Sequence, residues 1–299
     1  MKGLIITADD FGAAPEVNDA VEMAHRSGVL TAASLMVAAP AAADAVARAQ
    51  RLPSLRVGLH LVLTEGRPVL PAAAVSRLVD GHGTLRTDMA ALGAAIAFSR
   101  RTRRQLEAEI SAQFEAFCAA GLALDHCNAH KHFHLHPVIG TLIARIGPRF
   151  GLRAARVPLE PAQVLRAIEP HTAAAPESLM GPLAGLLRRR LRAAGLLVPD
   201  RVFGLRWSGR MTRPRLAGLI GHLPEGLTEI YLHPATGSFP GAAAGYGYRD
   251  ELDALTCAPV LAATRAGGLR LGGFSDFLAS QPAPSGATSR ALSNGSLMQ

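Results

Sequence analysis

The sequence predicts an α/β fold, a (β/α) TIM-like barrel with seven or eight parallel strands. Three observations point there. Short apolar runs alternate with helical stretches along most of the 299 residues, and parallel neighbours need such crossovers. Acidic and histidine side chains end several of the runs, which is where such a barrel keeps its chemistry. The first strand–helix turn lacks the G-x-G-x-x-G expected of a dinucleotide-binding doubly wound sheet, the alternative arrangement. Residues 1–280 read as one barrel domain with a helical insertion near 161–199. Residues 281–299, made largely of Pro, Ser, Gly, Ala and Asn, read as a disordered tail.

Residues 4–8 form an apolar run typical of a buried strand and lead into Asp9-Asp10-Phe11-Gly12. Adjacent carboxylates at such a place are costly unless paired or bound to a cation. A helix is expected over 15–27 with proline in its first turn, then a strand at 31–37 and an Ala-rich helix at 40–50. A third strand, 55–63, carries His60. Residues 64–84 are irregular, a length typical of lids and binding loops. A helix over 102–120 places Leu106, Ile110, Phe114 and Phe117 on one stripe, and Gly121 stops it.

Residues 124–137 read Leu-Asp-His-Cys-Asn-Ala-His-Lys-His-Phe-His-Leu-His-Pro and hold five of the chain's eleven histidines. Even positions from His126 to His136 are all polar, whereas odd positions include Cys127, Ala129, Phe133 and Leu135. An extended strand would put the imidazoles on one face. A helix from Pro137 to Ile146 follows, then a strand at 152–157 ending near Arg156. Residues 161–199 read as one or two helices outside the alternation. Beyond them we expect a strand at 202–207, a helix at 213–222, a strand from Glu229 to His233, a helix at 249–266 and a last strand at 269–274.

Composition narrows the function. Hydrophobic residues make up 49% and aromatics 5%, so the core rests on Ala, Leu, Val and Ile. The net charge is +8, with 29 Arg and two Lys. That bias accompanies abundant Ala, Gly and Pro, and the arginines are scattered apart from runs at 100–104 and 188–192. We therefore expect no nucleic-acid partner, although a basic surface favours anionic lipid. Three cysteines without paired spacing fit a reducing compartment. Acid by residue 9 leaves no room for a signal-peptide core, and no apolar run is long enough to span a bilayer. The expected location is cytoplasmic, with the inner membrane face within reach.

Asp9 and Asp10, His60, the histidine stretch and His233 would all lie on the carboxyl rim of the barrel. One Asp and two neutral His can hold a metal while leaving positions open for water and substrate. The chemistry permitted is metal-assisted hydrolysis, with a second carboxylate taking a proton and a histidine opposite returning one. The lack of a G-x-S-x-G elbow argues against a covalent serine.

Thr7-Ala8-Asp9-Asp10-Phe11-Gly12 with Val17-Asn18, Gly58-Leu59-His60, residues 128–134 and Leu232-His233-Pro234-Ala235 resemble the YdjC-like carbohydrate deacetylases (ChbG/HpnK), which include chitooligosaccharide deacetylase. The wording is closest to the hopanoid-biosynthesis-associated branch, HpnK. The resemblance implies a distorted (β/α) barrel and metal-dependent removal of an N-acetyl group from an amino sugar. It implies Asp10, His60 and His130 as metal ligands, Asp9 as general base and His233 as general acid. His132, His134, Lys131 and Arg156 are candidate substrate-binding residues. The donor set suits Zn²⁺, Ni²⁺ or Co²⁺, Zn²⁺ foremost, with Mg²⁺ the alternative that the resemblance admits. The branch implies an N-acetylglucosaminyl hopanoid as substrate; a soluble N-acetylated oligosaccharide, or another amidohydrolase reaction, is the alternative. Asn128-Ala129 before His130 and Lys131 after it depart from the oligosaccharide enzymes and bear on the sugar subsite. Residues 183–197 alternate Leu with Arg, a pattern that can lie in a membrane interface or pack its leucines on the barrel.

Overall fold

A computed structural model describes residues 2–171, 177–266 and 268–280; the expected tail at 281–299 lies outside the described residues. The chain runs β1 (Lys2–Phe11), α1 (Pro15–Ser27), β2 (Ala32–Leu35), α2 (Ala42–Arg51), β3 (Arg56–Leu61), α3 (Met89–Phe98), α4 (Arg100–Ala119), β4 (Cys127–Ala129) and α5 (Pro137–Ile146). It continues through α6 (Ala162–Ile168), α7 (Glu177–Ala193), β5 (Arg201–Phe203), α8 (Arg213–Gly221), β6 (Gly226–Leu232), α9 (Tyr248–Thr256), α10 (Ala258–Ala266) and β7 (Arg270–Leu271). The sheet order is β4-β3-β2-β1-β6-β5, with β7 also paired to β1. Every strand pair is parallel, so the sheet curls into a half-barrel, a distorted form of the expected barrel. The gap between β4 and β5 is spanned by single contacts. Ala154 and Ala155 bridge to Leu197 and Cys127, and Val202 N–H donates to Leu159. The expected strand at 152–157 is thus reduced to isolated bridges.

Side-chain alternation along the strands builds the interior in layers. Ile5, Ala32, Ala154, Leu197, Phe274 and Phe277 pack together as an apolar plug. Two residues further along the strands come Thr7, Ser34 and Arg156, all buried. Gly58 and His126 meet beside the plug: a Cβ on Gly58 would sit 2.5 Å from the His126 ring. His126 in turn stacks on Phe274, centroids 4.2 Å apart. The larger cluster, including Leu4, Ile6, Val17, Val21, Ile110, Phe114 and Phe117, lies between sheet and helices.

Several expectations change. The stretch at 64–84 is not a free lid. Glu109 of α4, fully buried, accepts from Val69 and Leu70 N–H at 2.8 and 3.1 Å. Gln113 holds both backbone groups of Val62. The helix at 249–266 breaks at Cys257 into α9 and α10. Helix α3 was not anticipated. In α7, Leu187 and Leu191 are buried, and Leu187 lies against Gly140 of α5. Leu187, Leu191, Leu196 and Leu197 therefore pack on the barrel, while Leu183 is exposed.

Because the Gly58 site has no room, Gly58→Ala should destabilise the protein by about 1–3 kcal/mol through overpacking. Urea denaturation of the variant against wild type measures this.

Candidate active site

The local backbone around the rim is unusual. Asp10, Glu65, Lys131 and His132 have φ of 63, 55, 52 and 53° and are the non-glycine residues with positive φ among those described. The left-handed region disfavours side chains, and such strain clusters at functional sites. Here it has a visible geometric role. Pairing of β1 with β2 shifts register between Ala8 and Phe11. Asp9 follows the strand alternation inward, and the turn at Asp10 brings the next carboxylate to the same side.

Asp10 Oδ1 lies 3.3 Å from His60 Nε2 and 3.2 Å from His130 Nδ1, and the two ring nitrogens are 3.4 Å apart. Ligand atoms of Asp10, His60 and His130 all fall within 4.8 Å of one another. Asp10 Oδ1 is buried with no hydrogen-bond partner among the described residues, a costly condition that a cation would relieve. The donor set of one carboxylate and two imidazoles therefore fits a divalent ion. Electrostatics agree. Burial raises the Asp10 pKa, but His130 and His60 override it and hold the carboxyl well below its usual range. For His60 burial works the other way, and Asp9 and Asp10 lift the imidazole above its ordinary value. The same carboxylates that favour a proton on that ring would favour a metal cation beside it.

A hydrogen-bond chain fixes which nitrogen of His60 faces the triangle. Asp125 accepts from His126 Nδ1 at 2.9 Å, so His126 Nε2 accepts from Ser34 Oγ at 3.0 Å. Ser34 Oγ accepts from Asn128 Nδ2 at 2.9 Å, and Asn128 also donates to Asp9 Oδ1 at 3.2 Å. Both amide protons are engaged, so Asn128 Oδ1 accepts from His60 Nδ1 at 2.6 Å. The proton thus sits on Nδ1, and the Nε2 lone pair points to Asp10 and His130. Asn128, expected to bear on the sugar subsite, is fully buried and orients the His60 ring, as the partner of a metal-binding histidine would.

Asp9 stands beside this triangle, 4.0 Å from His60 Nδ1. Arg156 grips both its oxygens, at 2.5 and 3.0 Å. Burial would raise the Asp9 pKa, yet Arg156 and His60 hold it far below the usual range. Arg156 also donates to Glu229 Oε1 from Nε and Nη2 at 2.9 and 2.6 Å, and its guanidinium lies 4.3 Å from the Tyr231 ring centroid. Expected to touch substrate, Arg156 is instead fully buried and occupied by two carboxylates. His134 is also enclosed. It bonds the Arg156 carbonyl at 3.1 Å, and burial followed by Arg156 lowers its pKa to about 3. His132 bonds Tyr231 Oη at 2.8 Å, and the same two causes keep it neutral. Lys131 is exposed and pairs with Glu65. His136 caps α5, accepting from Val138 N–H. On the far wall His233 donates its N–H to Glu251, while its ring stands edge-on to Tyr231 and Tyr246. Its Nδ1 is buried without a partner among the described residues.

The histidine stretch is not one strand. Only Cys127–Ala129 is extended, and His130–Leu135 winds as a 3-10 turn kinked at Lys131 and His132. Glu229, Tyr231 and Glu251 were not anticipated as site residues. Glu229 was visible in principle, since a carboxylate inside an apolar strand must find a partner.

Fold and donors together define a parallel α/β barrel with a carboxylate–imidazole site at its strand ends. The chain belongs to the YdjC-like protein family, which it matches over residues 3–266. A carbohydrate deacetylase of Geobacillus stearothermophilus is 31% identical over 278 residues, covering 91% of this chain and 97% of that protein. One from Homo sapiens is 31% identical over 273 residues, covering 85% and 80%. One from Brevibacillus brevis is 40% identical over 147 residues, so that match spans 49% of this chain and 56% of the relative. A crystal structure from Enterococcus faecalis V583, described as a candidate cellobiose-phosphate cleavage protein, superposes with a TM-score of 0.72 at 23% identity, covering 92% of this chain and 98% of that one. That likeness bears on the fold alone.

Asn128→Ala should leave the fold intact but weaken binding of a divalent ion by about 10–100-fold. Competition of the loaded protein against a chelator measures it, and unchanged affinity would remove Asn128 from this role.

Proposed function

We propose that this chain is a carbohydrate deacetylase that hydrolyses an N-acetyl group on an amino sugar to acetate and the free amine. The observation that carries this is the meeting of Asp10, His60 and His130 at the strand ends, within 4.8 Å, with a second carboxylate, Asp9, alongside. The Geobacillus relative, similar over nearly its whole length, supports the sugar substrate.

Asp10, His60 and His130 would hold one divalent ion, Zn²⁺ by the nature of its donors. When bound, the ion polarises the amide carbonyl and lowers the pKa of water beside it. Asp9 accepts the proton of the attacking water. Arg156 keeps that carboxylate ionised and aimed, and Asn128 keeps it next to His60. His233 approaches from the opposite wall and gives a proton to the leaving amine nitrogen. Tyr231 and Tyr246, edge-on to the His233 ring, set its orientation.

The finer reading concerns the sugar's carrier. The wording of the motifs around Asp10, His60 and His130 supports an N-acetylglucosaminyl hopanoid, whereas the relatives' names support a sugar without specifying a lipid.

Zinc-loaded protein should release acetate from an N-acetylglucosaminyl lipid, from diacetylchitobiose, or from both, and chelation should abolish it. Asp9→Asn should lower kcat by about 100-fold or more while retaining the metal. Full activity in that variant would exclude Asp9 as the base. Acetate from the disaccharide alone would exclude the lipid carrier.

A further inference from the structure

The arginine runs at 100–104 and 188–192 are distant in sequence and belong to no part of the site above. In the fold they converge. Arg100, Arg103 and Arg104 of α4, Arg145 of α5 and Arg190 of α7 line one open groove of about 480 Å³. Its single carboxylate, Glu107, is taken by Arg145 at 2.7 Å. Arg190 is fastened to the Pro137 carbonyl and Thr141 Oγ1 at 2.6 and 2.9 Å, and Arg103 to the Ala97 carbonyl at 2.7 Å. Arg100 and Arg104 have no partner among the described residues. Val138 and Leu142 add apolar lining. A surface charge of this density with so little compensation implies an anionic partner.

Helix α3 says which kind. Its ten residues, Met89-Ala90-Ala91-Leu92-Gly93-Ala94-Ala95-Ile96-Ala97-Phe98, contain no polar side chain. Leu92, Gly93 and Ile96 face inward. Ala90, Ala91, Ala94 and Phe98 are exposed and fall on one face at helical spacing. Phe98 is 89% exposed. A helix apolar all round is ordinarily buried; this one leaves four of its ten residues exposed. Only Ser99 separates Phe98 from the arginine run, serving as the cap of both helices. An exposed apolar face joined to a cluster of cations matches a bilayer interface, where the aromatic enters the acyl boundary and the arginines meet headgroup phosphates. A soluble anion would use the arginines but leave Phe98 unexplained. None of the helices among the described residues is long and apolar enough to cross a membrane, so the contact is peripheral.

We propose that α3, with the groove between α4, α5 and α7, is a docking surface for an anionic phospholipid bilayer. It is a different surface from the leucine face of α7, which packs on the barrel. The Gly93 carbonyl accepts from His136 Nε2 at 3.2 Å, which ties α3 to the end of the segment that carries His130. Docking through α3 would hold that rim of the barrel near the headgroups. The inference does not depend on the substrate, and its test reads binding rather than turnover.

The full chain is sedimented with vesicles of phosphatidylcholine alone and with vesicles mixed with phosphatidylglycerol. Binding is expected only to the mixed vesicles, and salt should weaken it. Arg100→Gln combined with Arg104→Gln should lower the partition coefficient about 20- to 30-fold, at roughly 5-fold per arginine. Phe98→Ser should lower it too, and both variants should keep wild-type turnover of a soluble substrate. The protein's one tryptophan, Trp207, is buried, so Phe98→Trp adds a reporter whose emission should shift to the blue on vesicles. No binding to mixed vesicles overturns the proposal, as does undiminished binding by the variants. Binding of inorganic phosphate without vesicle binding overturns it in favour of a soluble-anion site. A dimer by light scattering that Phe98→Ser dissolves overturns it in favour of a second copy covering α3.

Discussion

A guanidinium sealed inside the barrel is the interaction on which the rest of the interior depends. Arg156 is fully buried, and so is Glu229; Asp9 is nearly so. Removing each ion from water costs several kcal/mol, and the attraction repays it only with good geometry and filled hydrogen bonds. Arg156 meets that condition, with both Asp9 oxygens, Glu229 Oε1 and the face of Tyr231 around it. Burial disfavours its charge, but the two carboxylates more than offset this and keep it protonated. Asp9 in turn stands 4.0 Å from His60 Nδ1, so the guanidinium that grips Asp9 also fixes one edge of the Asp10–His60–His130 triangle.

Orientation comes from a second device, the polar chain from Asp125 to His60. Each member has its donors and acceptors assigned by the one before it, beginning with a carboxylate that can only accept. Such fully satisfied buried networks are stiff. Asp125 is itself held by Phe274 and Ser275 N–H groups at 3.0 and 2.8 Å, so the turn at Phe274 and Ser275 sets the tautomer of His60 on β3. The strained turns finish the arrangement. Asp10, and Lys131 with His132, adopt left-handed backbone where β1 and β4 end, and there the alternation that built the inner layers would otherwise aim side chains away from the site.

Much of this was legible in the sequence because strand alternation and apolar period report burial directly. The runs around Leu4, Leu59 and Ile230 became strands, and Asp10, His60 and His130 came together. What was not legible depended on contacts across the barrel. The histidine stretch alternates well enough to predict a long strand, but the positive φ at Lys131 and His132 has no signature in residues that are neither Gly nor Asn. Arg156 looked like a substrate contact because the carboxylate at Glu229 lies 73 residues away. Helix α3 escaped because a segment without polar residues carries no period to detect.

Composition misled in one instructive way. An excess of arginine dispersed along the chain looks like a genomic habit, and one buried member, Arg156, does belong wholly to the interior. The runs at 100–104 and 188–192 are different only once folded, when Arg100, Arg104 and Arg190 reach the same groove. Arg188 and Arg192, from the second run, point elsewhere and pair with Asp200 at 3.2 and 3.3 Å. Residues two positions apart on α7 thus divide between a compensated surface and an uncompensated one. Net charge could not have separated them; the neighbour that each helix face presents does.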